Sequence, residues 1–304
     1  MLEPFAKRLE FIWVKPSSKF FTRLMQVTGP KTSSFAMEES GFTLSKMVGG
    51  TAVRAPSRSQ RFGSARHGAG FAARRLIEGD FEGALRLLVA TPDRKTERAR
   101  KNAARKIAES WGDWRGLRDA IPCGPERGVM ETLAETGGDC RAGFLALPLF
   151  IRRIVVEAYQ SFLWNETARL VVRDRCPPPF IAVPRPFGDL VFPETGGVPD
   201  GLRSLVVPLL SPRSKLKAPW GEAAERALAG EGIAIDALRI PGIRSPYFGE
   251  IPRPLFAEAS AFSLGPPETD ETAAPAARLK RRLRFTLPRG AYGTVLLAAL
   301  GARD

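Results

Sequence analysis

Residues Ser59–Pro92 read SQRFGSARHGAGFAARRLIEGDFEGALRLLVATP, and this stretch organises the reading of everything around it. It holds a Gln-Arg-Phe-Gly turn at Gln60–Gly63, a basic Gly-rich segment, and two helices joined by a Gly-Asp pair. Gly68 and Gly70 lead into a helix expected over Phe71 to Ile77, closed by Glu78-Gly79-Asp80. Gly79 suits the left-handed position that ends a helix, and Asp80 suits the cap that opens the next. That second helix is expected over Phe81 to Ala90, with Leu85, Leu88 and Val89 at helical spacing, and Thr91-Pro92 stops it.

Upstream the text changes character. Residues 1–58 carry nine Lys/Arg against four Glu and no aspartate, the first in the chain being Asp80. Their clearest elements are an apolar piece at Phe11–Val14 and a second at Phe20–Val27, set among Ser/Thr/Gly-rich connectors.

Downstream, residues 93–119 read as one strongly charged helix with a narrow apolar stripe of Ala104, Ile107, Ala108 and Trp111. Residues 148–173 form the clearest helix of the chain, one side marked by Ile151, Val155, Ala158, Phe162, Leu163 and Leu170. Gln160 and Asn165 lie off the centre of that stripe. Short strands are expected at Ile181–Val183, Leu190–Phe192 and Leu205–Leu210, then a helix over Glu222–Ala229. A disordered linker, 266–280, precedes a basic strand at Arg281–Leu287, a turn at Pro288-Arg289-Gly290 and a helix at Ala291–Leu300.

Composition narrows the chemistry. Forty-six Lys+Arg against 32 Asp+Glu leave a formal charge of +14 over 304 residues. Such a field favours polyanionic partners, nucleic acid ahead of an anionic membrane surface, although a basic chain can also simply be soluble. No apolar run reaches the roughly 18 residues needed to span a bilayer. The N-terminus does not read as a secretory signal, which points to the cytoplasm. Cys123, Cys140 and Cys176 share no close spacing, which fits a reducing compartment and no metal site. The single histidine, His67, sits between Arg66 and Gly68, where a solvated or RNA-facing role outweighs a catalytic one. GSARHGAG lacks the Lys-Ser/Thr of a phosphate-binding loop and any preceding apolar strand. A basic chain without nucleotide or metal motifs suggests an RNA-modifying enzyme that needs no cofactor.

Three stretches, in order, resemble the TruD family of tRNA pseudouridine synthases. Gln60–Pro92 is similar to the family's Gln-Arg-Phe-Gly turn followed by Arg-His-Gly and a Gly-Asp between helices. Ala158–Glu166, AYQSFLWNE, is similar to its long helix with Gln-Ser, an aromatic and Asn. Phe285–Thr294, FTLPRGAYGT, is similar to its C-terminal Leu-Pro-x-Gly-x-Tyr-Ala-Thr. The stretch Val207–Leu255, with Glu231-Gly232-Ile233, follows the family's course.

The resemblance implies an α+β fold: a mixed, mostly antiparallel pseudouridine-synthase sheet, its N-terminal part atypical or missing here, with an inserted α/β TRUD domain. The expected division is an unmatched segment at 1–59, a TRUD-type domain at 60–265 that includes the long helix 151–173, the linker, and a strand and helix at 281–304 returning to the catalytic sheet. It implies isomerisation of a tRNA uridine, position 13 in the family's tRNA substrates, to pseudouridine without cofactor or metal. The base would be turned out of the stack into a pocket, and an aspartate would start the reaction.

That aspartate belongs upstream of the Gln-Arg-Phe-Gly turn, where this chain has none. Ala55, Pro56 and Ser57 stand where the family has its pocket Asn-Tyr-Phe, and Glu38 and Glu39 are the only upstream acidic pair. Asp189 and Asp236 fall in the inserted domain by the resemblance. No catalytic residue is therefore matched, and the chain as it stands is expected to bind RNA without isomerising it. An inactive, truncated or frame-shifted RNA-binding member is the alternative reading. Pocket or RNA-binding candidates are Arg61, Phe62, Arg66, His67, Arg74, Arg75 and Tyr292. Phe62 could equally be core, Arg61 a structural donor and Tyr292 a packing residue. Gln60 and Gly63 belong to the turn, and Gln160, Phe162 and Asn165 are expected mainly to hold the long helix against the sheet.

Overall fold

The computed structural model describes residues 7–14, 32–35, 69–92, 97–184, 187–193, 198–266, 268–269, 279–288, 291 and 295–296. In chain order the described helices are α1 (Ala72–Ile77), α2 (Phe81–Leu85), α3 (Arg98–Glu109), α4 (Trp114–Ala120), α5 (Pro125–Glu135), α6 (Cys140–Ala146), α7 (Leu149–Arg175), α8 (Asp200–Arg203) and α9 (Gly221–Gly230). The strands are β1 (Lys7–Val14), β2 (Thr32–Phe35), β3 (Phe180–Val183), β4 (Leu190–Pro193), β5 (Val206–Leu209), β6 (Ile251–Pro254), β7 (Ser260–Leu264), β8 (Glu268–Thr269) and β9 (Leu279–Leu287). They fall into two units: Arg58–Thr167 with Pro208–Pro252, and Met1–Ser57 with Ala168–Val207 and Arg253–Asp304.

Helix starts in the first unit repeat one two-residue signal. Gly79-Asp80, Gly112-Asp113 and Gly138-Asp139 each pair a glycine at φ +80°, +110° or +96° with a capping aspartate. The positive φ lets the chain turn sharply, which only glycine does without steric cost. Each aspartate then accepts a hydrogen bond from the third helical N–H: Gly83 at 2.7 Å, Gly116 at 3.0 Å and Ala142 at 3.2 Å. A Cβ on Gly83 or Gly116 would lie 2.1 Å from the capping carboxylate, so glycine there lets the cap come closest. The Gly79-Asp80 joint is as the sequence predicts. The second joint splits the expected helix over 93–119 into α3 and α4, with Trp111 in the break and packed edge-on against Trp114 at 4.9 Å. Ala104 and Ile107 are buried, whereas Ala108 is exposed, so the apolar stripe is shorter than its spacing suggests.

The helix expected over Phe81–Ala90 changes form halfway. Arg86–Ala90 winds as a π-helix, and the Thr91 hydroxyl donates to the Arg86 carbonyl at 3.1 Å. Around these helices Leu76, Leu85, Ile107, Met130, Leu133 and Phe144 are fully buried, each contributing about 1.5–3 kcal/mol of apolar burial.

Helix α7 is buried more completely than one stripe would allow. From Val155 to Val172 it hides Val156, Tyr159, Trp164 and Ala168 as well as Val155, Ala158 and Leu163. Its polar Gln160 and Thr167 are buried too, Thr167 satisfied by donating to the Leu163 carbonyl at 2.9 Å. Spacing alone marked one face because the aromatic and polar positions opposite do not score as apolar. Their burial is a tertiary effect.

The second unit is built from strands. Its sheet runs β2-β1-β9-β7, with β8 also on β9. β1 pairs antiparallel with β9 from Lys7↔Leu287 to Val14↔Lys280, and parallel with β2. β7 and β8 are antiparallel to β9, so the sheet is mixed and mostly antiparallel. Along β9, Leu283, Phe285 and Leu287 are buried and Arg282, Arg284 and Thr286 half-buried, the period-two alternation of a strand with one covered face. The β3–β4 hairpin packs Ile181, Leu190 and Phe192 around Val295. β5 and β6 pair with each other in a further small sheet.

Candidate functional site

The middle of α7 fastens two loops with side chains that the sequence marks only as a motif. Gln160, buried at 2% exposure, donates its Nε2 to the Leu210 carbonyl at 2.8 Å and to the Gly249 carbonyl at 2.9 Å. One amide thus ties residues 210 and 249 to the helix, and both carbonyls depend on it. Off the centre of the apolar stripe, Gln160 is a buried hub whose partners are loop carbonyls.

Leu210 opens the segment SPRSKLK, Ser211–Lys217. It is closed by its own serines: the Ser211 N–H donates to Ser214 Oγ at 3.0 Å, and the Ser214 N–H to the Ser211 carbonyl at 3.1 Å. The Ser214 hydroxyl donates to the Glu250 carboxylate, so the 3.2 Å contact between the two hydroxyls has Ser211 as donor. A hydroxyl has one proton, and Glu250 takes that of Ser214. With the serines turned inward, Arg213, Lys215 and Lys217 are exposed, and their side chains have no hydrogen-bond or ion-pair partner among the described residues. Three unpaired cations on a loop pinned at Gln160 and Glu250 suit an anionic ligand. Spacing in the sequence alone does not single these three cations out. Their sequence signal is a cation at every second position, alternating with Ser214 and Leu216, between a strand and Pro219-Trp220.

Tyr159, one residue before the hub, is fully buried and donates to Glu231 Oε2 at 2.8 Å. Burial, then the Glu231 charge and this hydrogen bond, hold its phenol well above the ordinary value, so it stays protonated and acts as a donor, never as a base. Arg74 donates to the Glu231 carbonyl at 3.0 Å and pairs with Glu78 at 2.8 Å. Arg75 pairs with Asp80 at 3.0 Å. Phe162 lies against Phe71 at 4.9 Å between centroids, and Phe71 against Tyr159 at 5.4 Å. Asn165 Oδ1 is buried and has no donor among the described residues.

The structure therefore brings Arg74, Gln160 and Phe162 into one neighbourhood around α7, with Tyr159 and Glu231 added. Gln60, Arg61, Phe62, Gly63, Arg66, His67 and Tyr292 lie outside the described residues, as do Ala55, Pro56, Ser57, Glu38 and Glu39. Asp189 is in the β3–β4 turn and Asp236 in a short 3₁₀ turn. Among the described residues no group of three or more His, Cys, Asp or Glu is placed to hold a metal ion. No helix among them is long and apolar enough to cross a membrane.

Known proteins meet this chain over the same ground. The family model for tRNA pseudouridine synthase D (TruD) matches residues 58–200, starting within two residues of Gln60. The tRNA pseudouridine synthase D of Aquifex aeolicus is 28% identical over 255 residues, covering 81% of this chain and 60% of that protein. A relative from Methanopyrus kandleri, named as a probable enzyme of the same kind, is 29% identical over 248 residues, covering 79% of this chain and 56% of its own length. The chain thus spans somewhat over half the length of these curated relatives. A crystal structure from Methanosarcina mazei that carries the TruD name superposes with a TM-score of 0.63, at 21% identity, over 86% of this chain and 62% of that one, and shares its fold. The ordered motifs, the mixed sheet and these matches agree: the chain is similar to the TruD family over most of its length and shares the fold of that structure.

Proposed function

We propose that this chain serves tRNA uridine isomerisation of the TruD kind, and that its own residues supply the RNA-holding part of that function. The observation that carries the reading is the loop Ser211–Lys217, whose unpaired Arg213, Lys215 and Lys217 are held out by a buried Gln160 within a family motif. Arg61, Phe62, Arg66, His67, Arg74, Arg75 and Tyr292 are the further pocket or RNA-facing candidates. The sheet of β1, β9 and β7 corresponds in this reading to the family's catalytic sheet, and the helical unit Arg58–Thr167 with Pro208–Pro252 to the inserted domain, which is narrower than the expected 60–265. A tRNA substrate and a cytoplasmic location go with it.

Isomerisation needs a carboxylate within about 3 Å of the sugar–base junction, aligned when the base is turned out. Residues 1–79 contain no aspartate, so the chain as it stands binds tRNA without turning it over. Incubating tRNA with the purified chain and mapping pseudouridine chemically tests this: bound tRNA and no product is the expected result. Turnover at the level of a family enzyme would overturn it and make Glu38→Gln and Glu39→Gln the variants to measure. A chain that binds no tRNA would overturn the whole reading.

A further inference from the structure

The start of α7 carries a surface that the hub at Gln160 leaves unused. Phe150 is 63% exposed and Tyr247 is 73% exposed, with Leu145 and Leu149 also open to solvent. Large apolar groups exposed together mark an interaction site rather than scattered surface. Two arginines tie together the segments that carry Phe150 and Tyr247. Arg152 donates Nε to the Leu147 carbonyl at 2.9 Å and Nη1 to the Ser245 carbonyl at 3.1 Å, so one guanidinium joins the α6–α7 elbow to the loop that ends in Tyr247. Arg141 donates to the Gly242 carbonyl at the start of that loop. Gly242 has φ +68°, and a Cβ there would meet the Arg141 guanidinium at 2.7 Å, so the tether needs glycine. The Tyr247 ring lies 3.2 Å from where a Gly249 Cβ would be, and Gln160 fixes the Gly249 carbonyl. Phe150 and Tyr247 thus sit either side of one bridge, two residues from its two ends.

The charge around them has one sign. Arg153, on the Phe150 face of the helix at i+3, and Arg244, within the tethered loop, are exposed, and neither has a side-chain partner among the described residues. The carboxylates of these elements are engaged elsewhere: Asp139 caps α6, Glu250 accepts from Ser214, and half-buried Glu157 has interactions of its own. Exposed rings flanked by unpaired arginines are the chemistry of single-stranded nucleic acid, in which bases stack on aromatic faces and phosphates lie on cations. An apolar protein partner has no use for the two free charges. Duplex RNA, whose bases are already stacked, has no use for the rings.

Building on the RNA-holding role proposed above, we propose that the α6–α7 elbow and the Gly242–Gly249 loop form an RNA-docking platform, on which Phe150 and Tyr247 stack unpaired bases and Arg153 and Arg244 neutralise the adjoining phosphates. The test is binding of the full chain to a labelled RNA hairpin with an unpaired loop and to an RNA duplex of equal length, across roughly 50 to 200 mM salt. Phe150→Ser and Tyr247→Ser should each weaken hairpin binding about tenfold with the salt slope unchanged, while duplex binding barely moves. Arg153→Gln with Arg244→Gln should lower the log–log slope by about 1.4. All four positions are exposed, and circular dichroism melts matching the parent chain confirm that the variants fold. Hairpin binding unchanged in every variant overturns the platform and leaves the RNA-holding role standing. Absence of RNA binding by the parent chain overturns both. Concentration-dependent self-association, lost in Phe150→Ser while RNA affinity stays the same, would assign the surface to a protein contact and overturn the platform.

Discussion

Residues 69–167 and the strands around β9 solve the same problem in different ways. In the helical unit three helix starts, those of α2, α4 and α6, are each set within five residues by glycine, aspartate and a small third helical residue, so local letters suffice there. In the strand unit β1 pairs with β9 from the opposite end of the chain, and no letter in Lys7–Val14 names its partner. Closing so long a loop costs entropy before any strand contact is gained, whereas helix contacts form between near neighbours. The difference predicts that the two units fail separately, and the helical one last.

The sharpest way to break that comparison is at Phe285, 1% exposed in the middle of β9. Phe285→Ala should cost about 3–5 kcal/mol through lost burial and the cavity it leaves. A thermal melt should then show the strand signal going early while the helical signal at 222 nm keeps its midpoint. Loss of both signals in one shifted transition would mean the units fold as a single cooperative body.

Gln160 asks the same question inside the helical unit. Gln160→Leu keeps the volume but leaves the Leu210 and Gly249 carbonyls without their donor, a penalty of about 1–3 kcal/mol, most of it from the fully buried Leu210 acceptor. Because those carbonyls anchor the cationic loops, RNA affinity should fall along with the urea midpoint. A stability loss with unchanged RNA binding would detach the Arg213–Lys217 loop from the RNA-holding role.

Smaller effects test the capping signal. Asp113→Ala should lower stability by about 1 kcal/mol, as cap removal does, and Gly112→Ala should cost a similar amount because alanine resists φ +110°. Both changes should move the helical transition alone. Equal movement of the strand transition would contradict local control.

These expectations also divide what was readable in the letters from what was not. The joint at Gly79-Asp80 was legible because glycine and aspartate act on their own backbone. The same signal at Gly112-Asp113 is masked by the charged run around it, whose letters look continuously helical. The alternation in β9 and the strands β3 to β5 were legible from period and punctuation. What stayed hidden depends on distance along the chain: Tyr159 with Glu231, Gln160 with two remote carbonyls, and Ser214 with Glu250. Residue type says that a buried glutamine needs partners, but it does not say which carbonyls will arrive. The basic loop at Arg213–Lys217 was visible as composition and became a site only when its serines were seen to turn inward.

Tyr159 gives the smallest effect and the most specific one. Its phenol, ordinarily near 10.0, is raised by burial first, then by the charge of Glu231 and the hydrogen bond it donates to that carboxylate, with Arg74 opposing. The folded chain therefore holds this proton more tightly than the unfolded chain does. The stabilisation is complete below the unfolded value of about 10 and is lost as pH climbs beyond it, because the unfolded phenol ionises while the folded one does not. Tyr159→Phe lacks both the hydrogen bond and the titration. Urea midpoints measured from about pH 8 to about pH 11 should show the parent chain ahead by about 1 kcal/mol at the lower end, with the gap narrowing above pH 10. A gap that stays constant to the top of the range would mean that the phenol is not confined against Glu231, and the helical unit would lose its claim to a locally closed core at that point.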